Sequence, residues 1–126
     1  MKSSFLSSED IKISNEFKRN GYIIRNVADK LSLDFIQSKF IKLIKKNYKF
    51  EKSTSDLRVL NFIHKKIKKN KINEFRLKVI DEINKDENCR YYYYKATKPY
   101  LEAIAGNELV MQKKINLSIQ LPGDES

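Results

Sequence analysis

Apolar side chains recur at helical spacing along most of the chain, and short polar or glycine-containing stretches separate the repeats. Within each repeat the apolar residues lie three or four positions apart, as the buried face of an amphipathic helix requires. The expected inward positions are Ile13 and Phe17; Leu33, Ile36, Phe40 and Ile44, with Ile41 and Leu43 close by; Leu57, Leu60, Ile63 and Ile67; and Phe75, Val79, Ile80 and Ile83. The pattern therefore predicts four consecutive helices.

Polar caps and a glycine mark the ends of the first two helices. Ser7 or Ser8 is suited to cap the first helix, and Gly21 is suited to end it, because serine accepts a hydrogen bond from the first turn and glycine adopts a left-handed conformation easily. Asp29 is suited to cap the second helix, which is expected to run to about Lys46. These signals place both helices before any tertiary structure is considered.

The later helices are less regular. We expect the third over about residues 57–69 and the fourth over about residues 73–84. Pro99 then interrupts a further helical stretch, and a proline in a helix interior costs about 3 kcal/mol. The chain is therefore expected either to kink at Pro99 or to begin a new helix capped by Thr97, and to stop at Gly106.

Two segments have the pattern of strands rather than helices. Residues 22–27 are predicted to form a short strand, and residues 109–121 a second one near the end of the chain. In the second segment four apolar residues alternate with three polar residues, so that they face opposite sides of a strand. The apolar set is Ile115, Leu117, Ile119 and Leu121, and the polar set is Asn116, Ser118 and Gln120. Uncharged amides and hydroxyls are suited to line a pocket, and the three polar residues are therefore candidates for contact with substrate or cofactor, with a purely structural hydrogen-bonding role as the alternative.

Length and composition indicate one domain that spans residues 1–126. The 40% of hydrophobic residues suffice for a core, and no apolar run is long enough for a secretory signal or a membrane span. Cys89 is the only cysteine, so that neither an internal disulfide nor a cysteine-based metal site can form within one chain. We expect a soluble, cytoplasmic protein in which Cys89 is a small, half-buried hydrophobic residue.

The whole net charge of +10 lies in residues 39–71, because this segment contains twelve basic residues and only two acidic ones, Glu51 and Asp56. The basic residues are Lys39, Lys42, Lys45, Lys46, Lys49, Lys52, Arg58, Lys65, Lys66, Lys68, Lys69 and Lys71. Such a segment can attract nucleic acid, an anionic membrane surface or a phosphorylated substrate. The alternative is a set of solvated helix faces, and the excess of lysine over arginine favours that interpretation.

The residues that usually carry chemistry are scarce. His64 is the only histidine, so that neither a two-histidine, one-carboxylate iron site nor a three-histidine zinc site can form within one copy of the chain. The run Tyr91 to Tyr94 resembles a stacking surface for single-stranded nucleic acid, but four consecutive helical positions point in four directions. We therefore expect these tyrosines to pack against the core, and we assign no catalytic or metal-ligating residue.

At PYLEAIAGNELVMQKKINLSIQLPGD, residues 99–124, the sequence resembles the phytanoyl-CoA dioxygenase-like family of Fe(II)/2-oxoglutarate oxygenases. It is most similar to the group found sporadically in bacterial surface-carbohydrate gene clusters. FKRNGYIIRNV, residues 17–27, is similar to the opening helix and strand of that family, and NEFRLKVIDEIN, residues 73–84, also fits the group.

The resemblance implies an α+β fold, in which a mainly helical layer of about residues 1–108 precedes the first strands of a double-stranded β-helix, a jelly roll left incomplete in this chain. In that family a His-x-Asp pair and a distal histidine hold the iron, and an arginine binds 2-oxoglutarate. None of these is present, so the resemblance implies an N-terminal portion of an oxygenase that is inactive alone, with Fe(II) and 2-oxoglutarate as cofactors of the full-length enzyme only. Its substrate would be carbohydrate-linked or another small molecule. The alternative function is a small basic helical module that binds nucleic acid through residues 39–71.

Overall fold

Local sequence signals define where most of the helices begin and end. The structure is a computed structural model that describes residues 6–106, 114–116, 118, 120, 122 and 123. Its helices are α1 (Ser8–Asn20), α2 (Lys30–Asn47), α3 (Asp56–Phe62), α4 (Ile72–Lys85) and α5 (Glu87–Ala105), with single 3₁₀ turns at Ile63–Lys65 and Lys69–Lys71. The described residues therefore form a helical fold.

The predicted capping residues of α1 and α2 are confirmed. The Ser7 hydroxyl accepts a hydrogen bond from the backbone N–H of Asp10 at 3.1 Å, and the Asp10 carboxylate accepts one from the backbone N–H of Ser7 at 2.9 Å. Gly21 ends α1 with φ at 78°, and Asp29 accepts from the backbone N–H of Leu31 at 3.1 Å. These reciprocal bonds satisfy donors that a helix start otherwise leaves open.

The predicted α+β fold class is wrong, because the described residues contain five helices and no strand. Within the part of the chain that the structure describes, no strand lies beside residues 22–27, so their β-type sequence forms no sheet there. Two bonds tie this connection to α5 instead: the N–H of Ala28 donates to the Ala96 carbonyl at 3.0 Å, and the Tyr100 hydroxyl donates to the Asn26 carbonyl at 2.8 Å. Of the predicted strand 109–121, residues 109–113, 117, 119 and 121 lie outside the described residues, and the others are not in a strand.

Two boundaries also differ from prediction. The third helix ends at Phe62 rather than near residue 69, because the backbone leaves the α-helical conformation at Phe62 (φ −114°, ψ 4°) and continues as a 3₁₀ turn, after which Ile67 is buried in the core. At Pro99, the alternative of a new helix capped by Thr97 is wrong, because α5 continues through Pro99 and the Thr97 hydroxyl donates to the Tyr93 carbonyl at 3.1 Å. Pro99 lies on an exposed face, where water can solvate the carbonyl that lacks an N–H partner.

The core lies between α2, α4 and the segment around α3, and α5 packs against α1, α2 and α4. Ile44, Val59 and Val79 are fully buried, and Phe75 is nearly so. On α5 the buried residues are Cys89, Ala96 and Ala103, which repeat every seven residues and therefore lie on one side of the helix. Small side chains at these positions allow neighbouring backbone to approach closely. Leu33 and Leu57, which were expected to point inward, are exposed instead.

None of the helices in the described part of the chain is long and apolar enough to cross a membrane.

Asp86 makes the connection between α4 and α5 a single residue. Its carboxylate accepts from the backbone N–H of Asn88 at 3.0 Å and also pairs with the Lys39 ammonium at 3.1 Å. The hydrogen bond from Lys39 and that from Asn88 lower the pKa of Asp86 below its ordinary value. Asp86 therefore combines a helix cap with an ion pair between α2 and the start of α5.

We expect Asp86→Ala to lower the free energy of unfolding by about 1–2 kcal/mol, because the cap and the ion pair are both lost. Asp86→Asn keeps a capping oxygen, so it should recover most of that loss. Because the pKa of Asp86 is lower in the folded state, its ionic contribution is present above the unfolded pKa and disappears as the pH falls through the folded pKa. Urea unfolding across that range tests this, and a constant difference between Asp86→Asn and wild type at all pH values would contradict it.

Ser32 on α2 is fully buried, and its hydroxyl lies near the Asp29 carboxylate but makes no hydrogen bond of good geometry among the described residues. Leaving a buried polar group unsatisfied costs about 1–3 kcal/mol. We therefore expect Ser32→Ala to raise the free energy of unfolding. Ser38→Ala, at an exposed position of the same helix, is the matched control for helix propensity. Thermal unfolding in which Ser38→Ala stabilises as much as Ser32→Ala would show that the buried hydroxyl has no cost.

Candidate functional site

The three polar residues predicted from the C-terminal alternation are all at the surface. Asn116, Ser118 and Gln120 are exposed, whereas Ile115 is half-buried and packs against the core. Their apolar neighbours Leu117, Ile119 and Leu121 lie outside the described residues. The chain therefore becomes exposed at Asn116, directly after Ile115, and the Asn116 side chain is accessible to another molecule.

Asn84 near the end of α4 holds Ile115 by two hydrogen bonds. Its side-chain amide donates to the Ile115 carbonyl at 2.9 Å, and its side-chain oxygen accepts from the Ile115 N–H at 2.8 Å. The same amide donates to the Ile80 carbonyl at 2.7 Å, which fixes its orientation. One side chain thus satisfies both backbone groups of Ile115, as a residue of a neighbouring strand would.

Sequence reasoning treated Asn84 only as the end of a helix. The sequence does contain one indication that the Asn84 side chain has a binding role. Asn84 directly follows the inward-facing Ile83, so its amide is partly buried and needs a hydrogen-bond partner. The partner itself, 31 positions further along the chain, cannot be identified from spacing alone.

The described residues do not fit an iron site. No group of three histidine, cysteine, aspartate or glutamate side chains lies close enough together in this part of the chain to hold a metal ion. His64, the only histidine, is half-buried in the 3₁₀ turn Ile63–Lys65, with its ring stacked near Phe62 at a centroid distance of 6.5 Å. Cys89 is buried, more completely than expected, and burial raises the pKa of its thiol, so it is not an activated nucleophile.

The tyrosine run does not form one stacking surface. Tyr91 and Tyr93 are exposed, whereas Tyr92 packs on Phe35 with a centroid distance of 4.4 Å. Tyr94 is half-buried, and its hydroxyl donates to the Glu102 carboxylate at 3.3 Å. The expectation that these four residues point in different directions is confirmed, while only Tyr92 and Tyr94 have the packing role expected of all four.

Six of the twelve basic residues of 39–71 lie in one of two kinds of environment. Three lysines pair with carboxylates: Lys39 with Asp86 at 3.1 Å, Lys45 with Asp56 at 3.3 Å and Lys71 with Glu74 at 2.9 Å. Three other cations lie over aromatic rings. The Arg58 guanidinium is 5.6 Å and the Lys65 ammonium 4.7 Å from the centre of the Phe62 ring, and the Lys66 ammonium is 5.3 Å from the centre of the Phe50 ring.

These three ring-supported cations meet at a groove of about 560 Å³ beside α3. The lining residues are Phe50, Glu51, Ser53, Thr54, Ser55, Arg58, Phe62, Lys65 and Lys66. An aromatic face attracts a cation but leaves its charge uncompensated, unlike a carboxylate. The groove, to which we refer as the Arg58 groove, therefore combines three cations and three hydroxyl groups with one carboxylate, an arrangement suited to bind an anion.

Sequence reasoning identified the basic segment but not this groove. Its residues come from the connection after α2, from α3 and from the following 3₁₀ turn, and only folding brings them together. The interleaving of Phe50 and Phe62 with the basic residues was the signal that could have suggested it.

Comparisons with known proteins identify no relative: no protein-family model matches the chain, and neither a curated protein nor a solved structure is similar enough to count as a match.

The two bonds from Asn84 make a specific prediction for the segment around Ile115. We expect Asn84→Ala to lower the free energy of unfolding by about 1–2 kcal/mol and to abolish hydrogen-exchange protection of the Ile115 amide. Asn47→Ala is the matched control, because Asn47 makes the same type of intrahelical bond, from its side-chain amide to the Leu43 carbonyl at 2.7 Å. Equal effects of both substitutions, or an Ile115 amide that remains protected in Asn84→Ala, would contradict the proposed anchoring.

Proposed function

We propose that this chain is the N-terminal portion of an Fe(II)/2-oxoglutarate-dependent oxygenase that acts on a carbohydrate-linked or other small-molecule substrate. The observation that carries the proposal is the resemblance of residues 99–124 to the phytanoyl-CoA dioxygenase-like family. A cytoplasmic location belongs to the same proposal, and it agrees with the buried thiol of Cys89, since free cysteines are common in reducing compartments.

The placement of the C-terminal residues supports this proposal. Asn84 binds both backbone groups of Ile115, and the chain then presents Asn116, Ser118 and Gln120 with exposed side chains. In the proposed enzyme these three side chains would orient substrate or cofactor by hydrogen bonds, because amides and hydroxyls both donate and accept. The helical part of the chain would hold this segment in place through its contacts with Ile115.

The chain's own residues do not provide the metal centre. With one histidine, and with no metal-ligating cluster among the described residues, this part of the proposed enzyme does not fit the iron ligands of the family. The proposal therefore assigns the His-x-Asp pair, the distal histidine and the arginine that binds 2-oxoglutarate to sequence outside these 126 residues. When bound, the iron would activate dioxygen for oxidation of the substrate.

Nucleic-acid binding through residues 39–71 is the second candidate function. The accumulation of positive charge favours it, whereas the pairing of Lys39, Lys45 and Lys71 with carboxylates reduces the number of cations available to phosphates. An extended basic surface of this kind predicts an affinity that falls steeply with salt, because each phosphate contact releases counterions.

We expect the purified 126-residue protein, supplied with Fe(II), 2-oxoglutarate, ascorbate and dioxygen, to form no succinate above the level of a heat-denatured control. The physical reason is the absence of two histidines for the iron. Succinate can be measured by chromatography, and omission of Fe(II) serves as the second control. Iron-dependent succinate formation by this chain alone would overturn the assignment of the metal ligands to sequence outside it.

A further inference from the structure

We propose that the Arg58 groove is a binding site for a nucleoside phosphate, with the phosphate group held by Arg58, Lys65 and Lys66. The inference does not rest on the proposed oxygenase function, because it uses only the geometry of this groove. It also differs from nucleic-acid binding along residues 39–71, because it places a small ligand at one defined position.

The groove carries an excess of positive charge. Arg58, Lys65 and Lys66 form no ion pair with a carboxylate among the described residues, and aromatic rings hold them in place instead. Glu51 is the one carboxylate of the lining. Three cations around one concave surface create a positive potential that a phosphate, with two charges near neutral pH, is suited to neutralise. Arg58 can also bind two phosphate oxygens at once through its planar guanidinium group.

Hydroxyl groups from the loop before α3 also line the groove. They belong to Ser53, Thr54 and Ser55. A turn hydrogen bond of 2.9 Å from the Thr54 N–H to the Glu51 carbonyl fixes this loop. The Ser55 hydroxyl accepts from the Arg58 N–H at 3.3 Å, so its own proton remains able to donate to a ligand. The groove therefore offers neutral donors beside the cations.

The size and the apolar surface of the groove suit a ligand larger than phosphate. A volume of about 560 Å³ lies within the range of roughly 300–1,000 Å³ that is usual for small-molecule sites, and it far exceeds the need of a bare phosphate ion. The remaining lining includes the aromatic residues Phe50 and Phe62, and Phe62 is 38% exposed. A ligand with an anionic end and a flat organic end matches these two parts. Nucleoside phosphates have this combination, and their ribose hydroxyls can pair with the serine and threonine groups.

Isothermal titration calorimetry at low salt tests this proposal. The 126-residue protein is titrated separately with uridine monophosphate, adenosine monophosphate, uridine and inorganic phosphate. We expect at least one of the two nucleotides to bind at least about tenfold more tightly than uridine or inorganic phosphate, because only the nucleotide uses both parts of the groove. Failure of both nucleotides to bind, or an affinity for uridine or inorganic phosphate equal to theirs, would overturn the proposal.

A pair of double variants separates this site from general positive charge. Arg58→Gln with Lys65→Gln should weaken nucleotide binding at least about tenfold, since it removes two of the three groove cations. Lys42→Gln with Lys71→Gln removes the same charge from positions outside the groove and should change the affinity less than about twofold, because screening weakens distant surface charges. Circular dichroism verifies that both double variants remain folded. Equal losses in the two variants would overturn the proposal.

A single-stranded oligonucleotide completes the experiment. If it binds much more tightly than either nucleotide, and both double variants weaken that binding equally, the basic residues act as an extended nucleic-acid surface and the proposed small-ligand site is wrong. If the oligonucleotide binds no more tightly than the nucleotides, and only the groove variant weakens its binding, the result supports a single phosphate-binding position.

Discussion

The packing of helices on α5 depends on the small side chains that α5 presents to them. Cys89, Ala96 and Ala103 repeat every seven residues along one side of the helix, where larger side chains would hold α1 and α2 away. The close approach is visible where the connection between α1 and α2 binds the Ala96 carbonyl through the Ala28 N–H. Because close-packed interiors tolerate little extra volume, this side of α5 determines where the other helices can lie.

Local chemistry made the helix boundaries predictable, and long-range pairing made the strands unpredictable. Ser7, Gly21 and Asp29 act through bonds within a few residues of themselves, so the sequence alone locates the start and end of α1 and the start of α2. Residues 22–27 have a β-type composition, but a strand requires a partner, and α5 takes its place as the hydrogen-bonding neighbour. The β-propensity of residues 22–27 therefore predicted a strand that does not form.

The same distinction applies to the candidate sites. Of the alternating segment, Ile115 packs on the core and Asn116, Ser118 and Gln120 are exposed, whereas the anchoring of Ile115 by Asn84 depends on a contact that no periodic pattern encodes. The Arg58 groove was likewise visible only as a basic segment. In this groove the cations lie over aromatic rings rather than beside carboxylates. This arrangement arises because α3 ends at Phe62, and the turn that follows brings Lys65 to the Phe62 ring and Lys66 to the Phe50 ring.

The proposed oxygenase function depends on residues 99–124, and no group of three potential metal ligands lies together in the part of the chain that the structure describes. The coding sequence downstream of the Ser126 codon therefore tests the central proposal most directly. The account predicts an open reading frame that encodes a His-x-Asp pair soon after this codon, followed by a more distant histidine and arginine. A stop codon at that point, or a continuing frame without the His-x-Asp pair, would contradict it.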